Sequence, residues 1–233
     1  MPGLRIACWN CADGLARKKA LLTRIDADLI VVSEVRQTDF AALSTLFAAS
    51  VYSPTATARG IATFSHLPEL TQQRYQAPDG AECYQRLRLG AVDILAAWVK
   101  PQGSYTAPAQ RTLTHFLRSK PRSNPALHRI VLGDLNLNPG FDRVKATGRA
   151  TALVAMLGRY GMRSLYHQHS GEDFGTETRA THYFLRDRSR PFHIDFIFAS
   201  WGLTLRRLEL GDPADWIGTG LGDHVPLIAE LED

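Results

Sequence analysis

The sequence has few cysteines and no long apolar run. Its 233 residues include only three cysteines, an odd and small number that argues against a disulfide framework and fits a reducing cytosol. No apolar stretch approaches the ~20 residues that a membrane-spanning helix needs. No signal-peptide segment precedes the strand-like residues 4–7. These features predict a cytoplasmic, monomeric protein that does not bind a membrane.

Linkers, low-complexity tracts and internal repeats are also missing from the sequence, which favours a single domain over residues 1–233. The 45% apolar composition is enough for a substantial core. The charge is modestly positive, because 27 basic residues exceed 23 acidic residues to give +4, and the sequence pI is about 9.1. This balance allows a polyanionic partner without requiring one.

The stretch around residue 134 combines a buried strand with three polar side chains. Residues 130–132 form an apolar run typical of a strand, and Gly133 breaks it. If the following residues stay extended, Asp134, Asn136 and Asn138 share one face and the intervening leucines anchor the other. A carboxylate at the end of a core strand is costly without partners. An ordinary Asx turn and a functional site both remain open for this stretch.

Other predicted strands also end in polar residues. Asn10 follows the strand at residues 4–8, Glu34 ends the next strand, and Asp195 and the pair Asp223-His224 lie at later strand ends. Because strands that end on a common sheet edge bring their terminal residues together, we expect amide and carboxylate side chains to cluster there.

The remaining patterns predict secondary structure between these positions. Closely spaced strands in the middle of the chain favour antiparallel pairing. The predicted strands are 59–65, 71–75, 82–88, 92–99, 162–166, 180–185, 192–199 and 203–210, the predicted helices are 15–25, 39–48, 107–118 and 146–160, a turn is predicted at 100–103, and a loop at 167–178.

Two local motifs are rejected as functional sites. Cys8 and Cys11 have the CxxC spacing, but no second cysteine pair completes a zinc site, which favours two ordinary buried thiols. The glycine-rich stretch 218–222 lacks the lysine and hydroxyl residue of a phosphate-binding loop and does not precede a helix.

Five motifs occur in order along the chain: Trp9-Asn10, Ser33-Glu34-Val35, Gly133-Asp134-Leu135-Asn136, His193-Ile194-Asp195-Phe196-Ile197-Phe198 and Gly222-Asp223-His224-Val225-Pro226-Leu227. Together they resemble the endonuclease/exonuclease/phosphatase superfamily over residues 4–231. That superfamily includes DNase I, abasic endonucleases of the exonuclease III type, neutral sphingomyelinases and inositol polyphosphate 5-phosphatases. The resemblance implies an α+β fold, a four-layer αββα sandwich of two mostly antiparallel sheets packed face to face with helices outside.

The resemblance also implies a magnesium-dependent site, with Mn²⁺ as a substitute ion. Phosphodiester hydrolysis requires a cation and a positioned water, and Mg²⁺ prefers oxygen ligands. Glu34, Asn10 and Asp223 are the implied metal ligands, and Asn10 is also a candidate phosphate contact. Asp134 is expected to orient or deprotonate the attacking water, and Asn136 to hold the phosphate.

His224 is expected to face the phosphate, with Asp195 accepting its other N–H and fixing the ring. Whether His224 acts as a base or as a charged clamp stays open. Trp98 stands where many members have a histidine or tyrosine, and it is either a phosphate hydrogen-bond donor or a core residue. Gly222 replaces the usual serine, and Asp13 aligns ambiguously with an early aspartate of some abasic endonucleases.

Arg186, Arg188 and Arg190 form a basic hairpin next to Asp195. Such a run is either a solvated turn or a contact to a phosphate backbone. Tyr183 and Phe184 are candidates for stacking on a base, with at least one of the two expected in the core.

The predicted function is a metal-dependent phosphodiesterase that cleaves nucleic acid, with DNA as the expected substrate. A phosphatase or phospholipase acting on inositol phosphates or sphingomyelin is the alternative within the superfamily. A catalytically silent binding module is disfavoured, because buried acids cost stability that a scaffold would not need.

Overall fold

The fold is built mainly from strands, in a computed structural model that describes residues 3–78, 82–100, 106–119, 127–142, 150–218 and 220–232. Over these ranges the strands are β1 (Leu4–Asn10), β2 (Leu29–Arg36), β3 (Ala49–Ser53), β4 (Arg59–Ser65), β5 (Thr71–Gln73), β6 (Tyr84–Leu89), β7 (Val92–Trp98), β8 (His128–Asp134), β9 (Met162–Ser164), β10 (His182–Tyr183), β11 (Pro191–Phe192), β12 (Asp195–Ser200), β13 (Thr204–Leu210) and β14 (Leu227–Glu232). The α-helices are α1 (Lys19–Arg24), α2 (Gln37–Leu43), α3 (Thr106–Arg118), α4 (Ala150–Arg159), α5 (Leu165–Ser170) and α6 (Pro213–Trp216), and 3₁₀-helices cover Leu15–Lys18, Ser44–Leu46, Pro139–Phe141 and Phe184–Arg186.

The strands form two six-stranded sheets and a small hairpin. The first sheet has the order β13-β14-β1-β2-β4-β3, the second has the order β5-β6-β7-β8-β12-β9, and β10 pairs with β11. The pairs β1–β2 and β7–β8 are parallel, and the other pairs that the described residues form are antiparallel. The prediction of two mostly antiparallel sheets is confirmed.

Alternation along the strands produces three apolar layers, because successive side chains point to opposite faces of a sheet. Ile6 and Cys8 of β1 belong to a cluster that includes Ile94 of β7 and therefore lies between the sheets. Ala7 and Trp9 belong to an outer cluster shared with α1 and α2. A third cluster joins the outer face of the second sheet to α3 and α4. This is the predicted four-layer αββα sandwich.

Strand register brings polar residues from several strands together. Trp98 at the end of β7 lies opposite Asp134 at the end of β8. Asp195, the first residue of the antiparallel strand β12, lies opposite Asp134 on its other side. Asn10 ends β1 beside Ser33 of β2. The common edge predicted from the sequence is thus present.

The prediction of an extended chain after Asp134 is wrong. Strand β8 ends at Asp134, and Asn136 has a left-handed φ of 50°. The backbone N–H of Asn136 donates to Oδ1 of Asp134 at 3.1 Å, which forms an Asx turn. The leucines on either side of Asn136 are buried below α3 and α4 as predicted. The turn and the carboxylate are parts of one feature, because Asp134 itself caps the turn.

The long strands predicted at 180–185 and 192–199 are interrupted. Only His182–Tyr183 and Pro191–Phe192 pair as a hairpin, and residues 184–186 form a 3₁₀ turn in which Leu185 and Arg186 have left-handed φ. The strand β12 starts only at Asp195, where the Oγ1 of Thr181 accepts the backbone N–H groups of Ile194 and Asp195.

Other differences concern boundaries. The helix predicted at 39–48 ends at residue 43, and residues 49–53 form the edge strand β3, which was not predicted. The loop predicted at 167–178 begins inside α5, and α6 is an additional helix. The predictions for residues 101–103, 146–149 and 219 lie outside the described residues.

The three cysteines are buried, free thiols, which agrees with the interpretation of Cys8 and Cys11 as ordinary core residues. Among the described helices, none has the length and apolar character needed to span a bilayer.

Candidate active site

Asn10 connects two carboxylates at the centre of the site. Its Nδ2 donates to Oε1 of Glu34 at 3.1 Å and to Oδ2 of Asp134 at 2.9 Å. Its Oδ1 accepts the backbone N–H of Ala12 at 2.9 Å, so the amide orientation is fixed from both ends. Glu34 and Asp134 come from different sheets. The amide of Asn10 therefore joins the two sheets at the site.

The loop after Asn10 is held by a buried lysine. Lys18 is only 2% exposed, and its Nζ donates to the carbonyl oxygens of Cys11 and, at 2.6 Å, Asp13. Burial lowers the pKa of Lys18. This role was not predicted, because a lysine in a helix-like basic run is usually solvated.

Glu34 lies on a β-bulge rather than at the end of its strand. The register of β2 against β4 shifts between Ser33 and Val35, and Glu34 has a φ of 64°. The bulge turns the carboxylate toward the site, a common use of bulges. Its second oxygen pairs with the guanidinium of Arg59 from β4, a partner that sequence reasoning missed.

Asp134 is buried among like charges. It is 2% exposed, and burial, followed by the negative charge of Asp195, raises its pKa to about 7. The nearby charge of His224 and the hydrogen bond from Asn10 oppose this rise. A carboxyl group with a pKa near neutrality can both accept and release a proton under physiological conditions.

Asp195 and His224 form a buried pair. His224 Nδ1 lies 2.7 Å from Oδ2 of Asp195. Burial alone disfavours the charged ring, but the charge and hydrogen bond of Asp195, together with Asp134 and Asp223, outweigh it and raise the pKa of His224 to about 9. His224 is therefore an imidazolium near neutral pH.

The backbone around Asp195 is fixed by a buried threonine. The Oγ1 of Thr181 accepts the backbone N–H groups of Ile194 and Asp195, both at 3.0 Å. The other carboxylate oxygen of Asp195, Oδ1, is buried and has no hydrogen-bond partner among the described residues. A buried acceptor of this kind is costly unless a cation or a donor completes it.

A second histidine lies against His224. The rings of His182 and His224 are 4.4 Å apart between centroids, and His182 Nε2 is 3.9 Å from Oδ2 of Asp223. Burial and then the charge of His224 lower the pKa of His182 to about 4, so this ring is neutral. Sequence reasoning missed His182, because its position depends on pairing across the β10–β11 hairpin and no spacing rule marks it.

These residues open into one cleft of about 760 Å³. The cleft is lined by Asn10, Glu34, Asp134, Asn136, Asp223, His224 and His182 and by flanking residues named below. Six of these seven are residues that the sequence analysis singled out, and Asp195 contacts the cleft through His224. Asn136 donates its Nδ2 to the carbonyl of Val99 at 3.1 Å.

One side of the cleft is formed by Trp98 and Lys100. Trp98 is only 5% exposed and belongs to the core between the sheets, yet its ring also lines the cleft. Lys100 Nζ lies 4.4 Å from the centroid of that ring and contacts the hydroxyl groups of Thr55 and Thr57 at 3.2 and 3.0 Å. The tryptophan thus serves as a core residue and as a support for a cation.

The other side of the cleft is aromatic and basic. Phe192 packs on Phe141 with centroids 5.2 Å apart, and the guanidinium of Arg190 lies 4.3 Å from the ring centroid of Phe184. All four line the cleft. The other two hairpin arginines, 186 and 188, are exposed and lie outside the lining.

The donor atoms of the cleft can hold a divalent cation. Two groups have ligand atoms within 4.8 Å of one another, namely Asp134, Asp195 and His224, and His182, Asp223 and His224. The unsatisfied Oδ1 of Asp195 and the raised pKa of Asp134 both indicate negative charge that the described side chains do not fully offset.

Known structures share this fold. A 3′-5′ exonuclease (NExo) from Neisseria meningitidis has a TM-score of 0.75 at 19% identity, covering 99% of this chain and 100% of the exonuclease. TDP2 from D. rerio, complexed with single strand DNA product, has a TM-score of 0.71 at 14% identity, covering 100% of both chains. An AP endonuclease from Archaeoglobus fulgidus has a TM-score of 0.70 at 17% identity, covering 97% of this chain and 98% of the endonuclease.

At these identities the structures establish the DNase I-like fold. No curated protein matches the sequence. The model of the Endonuclease/Exonuclease/phosphatase family matches residues 7–224, so the chain belongs to this family of nucleases, phosphodiesterases and phosphatases. The resemblance noted from the five sequence motifs is confirmed.

Proposed function

We propose that this protein is a divalent-metal-dependent phosphodiesterase that hydrolyses nucleic acid, with DNA as the expected substrate. One observation carries the proposal: a buried imidazolium and a carboxyl group with a pKa near 7 line the same cleft. The imidazolium of His224 can bind a negatively charged phosphate, and the carboxyl group of Asp134 can accept a proton from water. The names of the three structural neighbours, an exonuclease, an AP endonuclease and a DNA complex, support a DNA substrate.

Asp134 orients the attacking water and accepts its proton. Its Oδ1 already accepts from the backbone of Asn136, and its Oδ2 accepts from Asn10. These bonds leave the carboxylate in a single orientation, which is what a positioned base requires. The amide of Asn136, at the cleft wall, contacts the phosphate.

His224 stabilises the negative charge that develops on the phosphoryl oxygens. Because Asp195 holds Nδ1, only Nε2 is available to donate to the phosphate. A fixed charge in a buried site acts more strongly than the same charge in water. Asp195 is thus a positioning residue that also keeps the ring charged.

The oxygen donors of the cleft fit Mg²⁺, with Mn²⁺ as a substitute. A bound ion of this kind neutralises charge on the phosphoryl oxygens. Glu34 and Asp223 would hold it, whereas Asn10, predicted as a third ligand, turns its Nδ2 toward the two carboxylates and would orient the Glu34 carboxylate instead. The ion pair with Arg59 holds the Glu34 carboxylate in place at the cleft.

The walls of the cleft favour nucleic acid over an inositol phosphate or a lipid. Phe184 with Arg190 on one side offers a flat surface beside a cation, a combination that binds unpaired bases and their phosphates. Lys100 on Trp98 offers a second cation on the opposite side. A nucleic-acid strand bound across the cleft would contact the Phe184–Arg190 surface and the Lys100–Trp98 surface.

A panel of end-labelled substrates tests the proposal. Duplex, single-stranded and abasic DNA, RNA and small phosphomonoesters are incubated with Mg²⁺, with Mn²⁺ and with a chelator. We expect metal-dependent cleavage of at least one DNA substrate, and its loss in His224→Gln. The exposed His169 provides the matched control, His169→Gln. Turnover of phosphomonoesters with no cleavage of any nucleic acid would contradict the proposal.

A further inference from the structure

Two histidines and one carboxylate face one another at one side of the cleft. Nε2 of His182 lies 3.9 Å from Oδ2 of Asp223, and Nε2 of His224 lies 4.0 Å from its Oδ1. The three ligand atoms lie within 4.8 Å of one another. The proposed hydrolysis uses His224 and Asp223 but gives His182 no task.

The backbone holds these side chains in place before any ligand arrives. His182 and His224 form an antiparallel bridge, and the backbone N–H of Tyr183 donates to the carbonyl of Asp223 at 2.7 Å. The two histidine rings are in contact as a consequence. Little conformational freedom is therefore lost when the three groups bind one ion.

Once its ring has lost the proton on Nε2, His224 also suits a metal ligand. Its Nδ1 is bound to Oδ2 of Asp195, which directs the free electron pair of the neutral ring to Nε2. A carboxylate that accepts the distal N–H is the usual partner of a metal-binding histidine, because it fixes the ring and increases its basicity.

The donor types determine which cation fits. Two imidazole nitrogens and one carboxylate suit zinc and its neighbours in the first transition row, whereas Mg²⁺ prefers oxygen donors. Three protein ligands with one side open resemble zinc sites that keep a position for water. The opening here is the cleft itself, since all three residues line it and the Asp223 side chain is 30% exposed.

We propose that His182, Asp223 and His224 form a second cation site that selects zinc-type ions over Mg²⁺ and inhibits hydrolysis when filled. An ion at this site occupies Nε2 of His224, releasing any proton there to solvent, and engages Asp223. His224 can then no longer donate to the substrate phosphate, and Asp223 can no longer hold Mg²⁺. The inhibition rests on the proposed function, whereas the binding does not.

Direct binding tests the site without any substrate. The metal-free full-length protein is titrated with Zn²⁺ and separately with Mg²⁺ by calorimetry, and the cobalt-loaded protein is examined by visible absorption. We expect one tight Zn²⁺ per chain. Loss of an outer partner alone reduces metal affinity by ~10–100-fold, so His182→Asn, which removes a direct ligand, should weaken Zn²⁺ binding by at least about 100-fold.

The control variants separate this site from its neighbours. His169→Asn removes an exposed histidine of α5 and should bind Zn²⁺ like the wild type, and Glu34→Gln should keep zinc binding while losing the response to Mg²⁺. Thermal unfolding without metal verifies that each variant folds, and His182→Gln replaces His182→Asn if the latter does not. The visible spectrum of bound cobalt should change in the His182 variant and stay unchanged in the His169 variant.

Two results would overturn the inference. One is the absence of Zn²⁺ binding in the wild type, and the other is unchanged affinity in the folded His182 variant, which would locate the ion at Asp134, Asp195 and His224 instead. If nucleic-acid cleavage is found, Zn²⁺ should inhibit the Mg²⁺-supported reaction in the wild type and much less in His182→Asn. If no cleavage is found, the binding result still stands or fails by itself.

Discussion

The replacement Asp195→Asn removes one charge from the centre of the site and keeps the shape of the side chain. The amide oxygen can still accept the N–H of His224, so the ring stays where the 2.7 Å hydrogen bond holds it. What disappears is the negative charge that is chiefly responsible for keeping His224 protonated. Burial then favours the neutral ring.

The size of the effect follows from the pKa. A rise from 6.5 to about 9 corresponds to about 3 kcal/mol of preference for the imidazolium in the folded protein. Because the folded pKa is raised, this contribution is fully present below pH 6.5 and is lost as the pH rises to about 9. The pKa of Asp134 is raised from 3.8 to about 7, so its contribution to the free energy of unfolding is lost as the pH rises between those two values. The change in stability from pH 7 to pH 9 therefore reports mainly on His224.

The assay is denaturant unfolding of the metal-free protein at several pH values from 7 to 9. Over this window the free energy of unfolding of the wild type should fall by about 2–3 kcal/mol more than that of Asp195→Asn. Asp223→Asn is the matched control, since its carboxylate is 4.0 Å from the ring and partly exposed, and it should change the slope far less. Parallel curves for the wild type and Asp195→Asn would refute the account of a charged His224.

Three further predictions concern catalysis and binding. Glu34→Gln should abolish metal-dependent hydrolysis, and full activity in excess chelator would contradict this. Asp134→Asn should reduce turnover by at least about 10²-fold, the usual scale of a general base, and an unchanged rate would exclude Asp134 as the base. The thermal unfolding midpoint of this variant should rise, because a buried carboxylate that faces other acids is removed. Neutralising Arg186, Arg188 and Arg190 together should weaken the binding of DNA of any sequence. The slope of the logarithm of the binding constant against the logarithm of the salt concentration should become shallower by up to roughly one per lost phosphate contact. An unchanged slope would show that the hairpin does not contact the DNA backbone.

The sequence sufficed to predict the sheet edge, because the relevant signal is local. An apolar run that stops at a polar residue marks both a strand and its end, as at Asn10 and Asp134. The five motifs then led, through the family resemblance, to the four-layer sandwich of two mostly antiparallel sheets. The sandwich layers follow, since alternation assigns each buried residue to one face.

The supporting residues could not be predicted, because their partners are distant in sequence. Lys18 reaches carbonyl groups of a loop whose course the sequence does not state. Arg59 meets Glu34 only after a bulge has turned the carboxylate. His182 meets His224 only because two short segments, 42 residues apart in number, form a single bridge. Each contact depends on irregular backbone, which hydrophobic periodicity does not reveal.

That irregular backbone is concentrated at the cleft. Among the described residues, the non-glycine positions with left-handed φ are Ala12, Asp13, Glu34, Cys83, Asn136, Leu185 and Arg186. Such a conformation costs of order 1–3 kcal/mol at each position and persists only where surrounding contacts enforce it. Three of the seven line the cleft directly, Arg186 adjoins one of these, and Ala12 and Cys83 form backbone hydrogen bonds to residues that line the cleft.

The contacts of the strained positions show what enforces them. Ala12 gives its N–H to the central amide of Asn10, and the carbonyl of Cys83 accepts the N–H of Trp98 at 2.9 Å. Glu34 is held by the guanidinium of Arg59. A sandwich that only needed to be stable would gain from regular strands at these positions. The strained backbone is therefore best explained by its effect on the orientation of side chains in the cleft. These are the side chains that the proposed mechanism uses to bind the metal, the water and the phosphate.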